Sequence, residues 1–169
     1  GPVELKFKEG MIIDVSGNLS EATTIVLDKE SYKDKSKLSL MYHNTTLPST
    51  NELEIGTAHP INTDYRAIFI HELIHAIDYG VLKVPKDSDM NNLVLPSEKI
   101  DDIVRNKLKL NGVIVSEELS RYALQDRQEQ LAEAVSEFIC SNSPRRLSEI
   151  IAEEFFKILY TRRNKYDWN

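Results

Sequence analysis

The stretch His71-Glu72-Leu73-Ile74-His75 constrains this chain more than any other. On a helix, residues four apart lie one turn above each other, about 40° apart around the axis. Both imidazoles can therefore reach one zinc ion from a single rigid element. Glu72 lies about 100° round from His71, where a carboxylate can act as general base towards a water at the metal. The flanks suit a helix: Asn62, Thr63 and Asp64 offer capping oxygens after Pro60, and Gly80 offers a stop. Ala67, Ile68, Phe69, Ile70, Leu73, Ile74, Ala76 and Ile77 make the segment apolar on most sides, which predicts a buried helix. Histidines and a glutamate in such a helix need partners, and a metal would supply them. The plainer alternative is a pair of core histidines bonded to backbone carbonyls.

A zinc ion that does chemistry takes three protein ligands and keeps one position open. Cys140 is the only cysteine, so a cysteine-ligated zinc site and an intrachain disulfide are excluded. One common layout places Gly three and His six residues after the second histidine; Asp78 and Val81 stand there instead. His43 and His59 lie upstream, in a region that reads as strands, and each is expected to be a surface or loop histidine. A later helix remains. Glu129 and Glu133 are four apart and share one helical face. One carboxylate would bind the metal while the other hydrogen-bonds the free nitrogen of a ligating imidazole. Glu129 is read as the ligand and Glu133 as the support, with the reverse assignment open. Asp126-Arg127-Gln128-Glu129 also has the form of a capping box, and Glu133 alone would pass for an exposed residue. Asp78, on the face of both histidines, suits either a supporting role or a contact with a surface cation or a cap.

With 169 residues the chain is expected to form one domain, 1–169, large enough for a core without staples. Gly1-Pro2 reads as a tag-cleavage scar. A net charge of −6 argues against a nucleic-acid partner. No apolar run is long enough to span a bilayer. Short strands are expected at Val3–Phe7, Met11–Ile13, Thr23–Leu27, Leu38–Tyr42 and Glu52–Ile55. Lys29 to Lys37 is charged and reads as a short helix or loop. After the motif helix, a polar surface linker from Lys83 to Pro96 precedes a helix over Ser97–Leu110, ended by Asn111-Gly112. A short helix over Val115–Leu124 follows. Asp126 to Cys140 reads as a strong helix with Leu131, Ala134, Val135, Phe138 and Ile139 on its apolar stripe. Arg145 to Tyr160 is the last helix. Strands first and helices afterwards predict an α+β fold: a small N-terminal sheet packed on the motif helix, then a helical C-terminal half.

His71-Glu72-Leu73-Ile74-His75-Ala76-Ile77-Asp78 resembles the active-site helix of the anthrax lethal factor-like metallopeptidases, a family that includes secreted clostridial Pro-Pro endopeptidases. The family's second motif is a Tyr, six residues, a Glu, three residues, then Glu-Ala; Tyr122, Glu129 and Glu133-Ala134 reproduce that spacing. The resemblance covers roughly residues 70–139, with a longer and different connection between the motifs. It implies a zincin-like domain and one catalytic zinc held by His71, His75 and Glu129. It further implies Glu72 as general base and Tyr122 as stabiliser of the oxyanion. Bacterial toxin and effector metallopeptidases share this core, so a secreted protein, or one delivered into a target cell, is implied. The expected activity is cleavage of a peptide or protein substrate. The substrate would lie extended along an edge strand, Leu38–Tyr42 or Glu52–Ile55, ahead of the motif helix. Cleavage specificity does not transfer, because no counterpart of the family's substrate-recognition segments is found. The rival expectations are a catalytically inactive zincin-fold binding module and a hydrolase of non-peptide amides.

Overall fold

The β-branched run Thr23-Thr24-Ile25-Val26 enters the central strand of a three-stranded sheet. The computed structural model describes residues 3–8, 14–16, 23–44, 56–81, 83–88 and 90–166. Strand β1 (Val3–Lys8) pairs parallel with β3 (Thr23–Asp28), Val3 opposite Thr23. Strand β2 (Asp14–Ser16) pairs antiparallel on the other side, Val15 opposite Ile25. Ile25 and Leu27 share one face of β3 and bury themselves with Ala76, Phe69 and Leu73 of helix α2 (Arg66–Ala76). A small sheet therefore does pack on the motif helix. The strands expected at Met11–Ile13 and Glu52–Ile55 lie outside the described residues.

Leu38–Tyr42 is not a strand. It belongs to helix α1 (Lys35–His43), whose first turn is capped by the Asp34 carboxylate accepting from the Lys37 N–H at 3.0 Å. Leu38, Leu40 and Tyr42 alternate, but Leu38 and Tyr42 are also four apart. The helix buries that pair against Ala67 and Ile68 of α2 and leaves Leu40 63% exposed. An apolar alternation this short fits both periods, and the cap decides.

Helix α2 starts where the Asp64 carboxylate accepts from the Arg66 N–H at 2.9 Å. It does not stop cleanly at Gly80: beyond Ala76 the chain widens into a π-helical turn, Ile77–Val81. The expected linker holds a short antiparallel ribbon, β4 (Val84–Pro85) with β5 (Leu93–Val94), in which Val84 is buried and Leu93 exposed, and Lys99 donates to the Pro85 carbonyl at 2.6 Å. Helix α3 (Pro96–Leu108) ends at Lys109, in the left-handed region at φ 51°, rather than at Asn111-Gly112. Asn111 instead caps helix α4 (Gly112–Glu118), its side chain accepting from the Ile114 N–H at 3.0 Å. The single helix expected over Val115–Leu124 is thus two pieces, α4 and a 3₁₀ turn at Tyr122–Leu124. Helices α5 (Arg127–Cys140) and α6 (Arg146–Tyr166) follow.

The main core joins Ile74 of α2 to Ile100 and Val104 of α3, Leu131 and Val135 of α5, and Leu147, Ile151 and Phe155 of α6. Every residue of α5 from Gln130 to Glu137 is buried. Leu131, Ala134 and Val135 are core as expected, but Phe138 and Ile139 are 37% and 48% exposed. Polar side chains are buried along the helix beside the expected apolar stripe, and most of them have a fixed partner. Gln130 donates to Asp101 at 3.1 Å, and Glu137 accepts from the Arg145 Nε at 2.9 Å. The architecture is α+β and mainly helical. Among the described residues, no helix is long and apolar enough to cross a membrane.

Candidate metal centre

Helices α2 and α5 pack face to face, and each presents an i, i+4 pair to the seam: His71 and His75 from one, Glu129 and Glu133 from the other. His71 Nε2 lies 2.8 Å from Glu129 Oε2, His75 Nε2 lies 3.1 Å from it, and the two Nε2 atoms lie 3.1 Å apart. Three donor atoms thus form a triangle. Zinc held tetrahedrally at about 2.0–2.1 Å would set ligand atoms about 3.3 Å apart, so the triangle needs to open by only a few tenths of an ångström. The donor chemistry also fits. His71 turns its Nδ1 to Glu133 Oε2 at 3.0 Å, which leaves Nε2 to face the triangle. Two imidazoles and one carboxylate, their donor atoms this close together, form a group that could hold a metal ion.

The electrostatics of this cluster favour a positive charge at its centre. Burial alone would lower the His71 pKa, yet its bonds to Glu129 and Glu133 outweigh burial and hold it at about 10. Burial would raise both carboxyl groups. Bonds to His71 and His75 instead bring Glu129 down to about 2, and bonds to His59 and His71 do the same for Glu133. A proton or a divalent metal can supply the charge these groups call for.

Glu133 is fully buried and well served. Besides His71, it accepts from His59 Nδ1 at 2.7 Å and from the Ser120 hydroxyl at 3.0 Å, both on Oε1. His59 is therefore no surface histidine. It is 8% exposed, stacks on Tyr42 with ring centroids 4.1 Å apart, and leans on Tyr122 at 5.0 Å. A nonlocal device puts it there. Arg121 N–H donates to the Thr57 carbonyl at 2.8 Å and Tyr122 N–H to the Ala58 carbonyl at 3.1 Å, pinning the His59 segment to the Tyr122 turn. Gly56 enters that segment at φ +84°, and a Cβ there would meet the Ser116 carbonyl oxygen at 2.2 Å. No spacing rule links these positions, although a glycine three residues before a histidine was a trace of the turn. His43 does sit at the surface, its Nε2 2.5 Å from the Thr63 carbonyl.

The second histidine is surrounded differently. Tyr79 stacks on His75 with centroids 5.4 Å apart and planes 8° from parallel. His75 Nδ1 is buried and has no hydrogen-bond partner among the described residues. Asp78, three residues on, is fully buried; Oδ1 accepts from the Ser97 N–H at 2.9 Å, while Oδ2 is buried without a partner among the described residues. Burial raises the Asp78 pKa. Asp78 is thus no surface contact: its carboxylate holds a backbone N–H in the first turn of α3.

Glu72 and Tyr122 meet at a cavity of about 310 Å³, lined also by His59, His71, Ile68 and residues of α1. Glu72 is half-buried. The Tyr122 ring stands edge-on to His71, centroids 5.7 Å apart. Burial, with the negative charges of Glu129, Glu133 and Glu72, raises the Tyr122 pKa, so its phenol keeps its proton and remains a donor. The six residues singled out in the sequence, His71, Glu72, His75, Tyr122, Glu129 and Glu133, all come together. Comparison with known proteins adds nothing to this geometry: no family model, no curated protein and no solved structure matches the chain.

Proposed function

We propose that this chain is a zinc-dependent endopeptidase of gluzincin type, with a zincin-like fold and His71, His75 and Glu129 holding the metal. One observation carries the reading: the three donor atoms converge within 3.1 Å of one another beside a cavity that Glu72 and Tyr122 share. Bound there, zinc would supply a Lewis acid for the scissile carbonyl and bring the pKa of water towards ~7.

The chain's own groups do the rest. Glu72 takes a proton from the attacking water as its oxygen bonds to the carbonyl carbon. It returns that proton to the leaving nitrogen as the C–N bond breaks. Tyr122 donates a hydrogen bond to the oxygen on which negative charge develops. Glu133 holds the His71 ring in one tautomer, and His59 and Ser120 hold Glu133. Leu38–Tyr42 is helical, so it offers a substrate no edge strand to pair with. The likeness of residues 71–78 and of the Tyr122–Glu129–Glu133 spacing to lethal factor-like metallopeptidases supports this reaction class. It also favours action outside the producing cell or inside a target cell.

Glu72→Gln tests the mechanism. Cleavage of a peptide library or casein should fall by roughly 10²–10⁴, with bound zinc unchanged. Activity equal to wild type would contradict the assignment. Zinc bound without any hydrolysis would favour the binding module, and turnover of small amides but no peptides would favour the other hydrolase.

A further inference from the structure

Glu129, Glu133 and Glu137 stand at successive turns along one side of α5. The first meets the two histidines, and the second holds His71, His59 and Ser120. The third, 1% exposed, meets Arg145, in the connection between α5 and α6. Glu137 Oε2 accepts from the Arg145 backbone N–H at 2.8 Å, and Oε1 accepts from its Nε at 2.9 Å and from its Nη2. So seated, the guanidinium reaches the end of α4. Nη1 donates to the Glu117 carbonyl at 3.0 Å and Nη2 to the Leu119 carbonyl at 2.6 Å. Carbonyls at a helix C-terminus have no intrahelical donor, and a planar guanidinium can serve two of them while a carboxylate meets its charge.

These two carbonyls stand at the entry to the turn that carries Ser120 and Tyr122. Ser120, directly after Leu119, is fully buried, and its hydroxyl donates to Glu133 Oε1 at 3.0 Å. The same hydroxyl oxygen accepts from the Ala123 N–H at 3.2 Å, which closes the turn around Tyr122. We propose that Arg145, seated on Glu137, is a positioning residue for this site. It fixes the turn from Leu119 to Tyr122, and through the turn it places the Ser120 hydroxyl on Glu133 and the Tyr122 ring at the cavity. The hold on the turn rests on these bonds alone; its consequence for turnover rests on the endopeptidase reading. A lysine at 145 would keep a charge for Glu137 but has no fork with which to serve both carbonyls. A displacement of about 1 Å at a group that acts on the transition state can cost up to about 10²-fold in rate.

Two measurements on Arg145→Lys test this, both at a temperature where circular dichroism shows wild type and variant fully folded. The first is amide hydrogen exchange, and it needs neither zinc nor turnover. The Arg121 and Tyr122 N–H groups, bonded to the Thr57 and Ala58 carbonyls, should lose protection by about tenfold more than the Leu131 and Val135 N–H groups inside α5. Equal loss at all four, or no loss at Arg121 and Tyr122, overturns the proposal. The second is peptide cleavage by zinc-loaded protein. Here kcat per bound zinc should fall about tenfold with KM within about twofold of wild type. The same substitution made in Tyr122→Phe should cost less than about twofold, because its effect passes through Tyr122. An unchanged kcat, or the full loss repeated in Tyr122→Phe, overturns the proposal as well. Should the lysine variant not fold, Glu137→Gln, which loosens the seat and keeps an oxygen acceptor, is read by the same two measurements with the same expected order. Exchange loosened at Arg121 and Tyr122, in a protein whose wild type cleaves no peptide, would leave Arg145 standing as the clamp of the turn and remove the endopeptidase reading.

Discussion

His71 and His75 sit one turn apart on the same helix, yet their surroundings are built by different means. Behind His71 stands Glu133, carried by α5, braced by His59 and Ser120 and fully buried. Among the described residues, no support of that kind stands behind His75. Its Nδ1 has no hydrogen-bond partner among them, Tyr79 stacks on its face, and Asp78, in the next turn of the chain, has a buried Oδ2 likewise without one. The difference shows that a helical histidine pair fixes where two donors are, not which way their rings point. Both nitrogens of the His71 ring meet carboxylates of α5, whereas only Nε2 of His75 does. Two buried atoms with complementary needs, three residues apart, are a natural pair once a cation fixes His75 Nε2.

The contrast is broken most severely at Glu133. Glu133→Ala leaves His59, His71 and Ser120 without their common acceptor in the interior. Removing one partner of such a buried cluster costs about 3–5 kcal/mol, a fall of roughly 10 °C in the melting temperature of zinc-free protein. Calorimetry would show it, and a shift under 2 °C, roughly, would mean that the His71 side is no better braced than the His75 side. Zinc affinity should fall about 10–100-fold as well.

Asp78→Asn probes the other side. If Asp78 aims His75, zinc affinity falls about tenfold, read by competition with a chromophoric chelator, while the Ser97 bond survives in the amide. Unchanged affinity would assign Asp78 wholly to joining the π-turn to α3.

A smaller effect is expected from pH. The His71 pKa is raised from 6.5 to about 10, so the stability it gives zinc-free protein is complete below about pH 6.5. That stability is lost as pH rises towards 10. Glu129 and Glu133 are lowered to about 2, so theirs is present above pH 4.5 and lost as pH falls towards 2. Zinc competes with the proton at His71, so the melting-temperature gain on adding zinc should widen between pH 6.5 and 9.5, roughly. Parallel melting curves for the two forms would contradict the shared position.

Much of this site was legible because it is built from helical periodicity. The i, i+4 histidines and the i, i+4 glutamates each had to share a face, and two such pairs in one small domain had few other uses. The capping-box reading of Glu129 proved half right: Asp126 does accept from the Glu129 N–H at 2.7 Å, but the Glu129 carboxylate turns to the histidines instead. His59 was illegible because a positive-φ glycine and two backbone hydrogen bonds bring it in across 62 residues of chain, from 59 to 121. Leu38–Tyr42 misled because five residues cannot separate the periods of strand and helix. Phe138 and Ile139 misled for the opposite reason, since α5 is buried on every side from Gln130 to Glu137 with its polar residues inside, and its last turn, Phe138 and Ile139, is left partly exposed.

The central claim is that two histidines of α2 and one glutamate of α5 hold a single zinc. The direct test is metal content of purified protein, wild type beside Glu129→Ala, after loading with zinc and removal of excess. The account predicts about one zinc per wild-type chain, and little or none retained by a Glu129→Ala chain that is still folded by circular dichroism. Zinc held equally by both, or by neither, would contradict it.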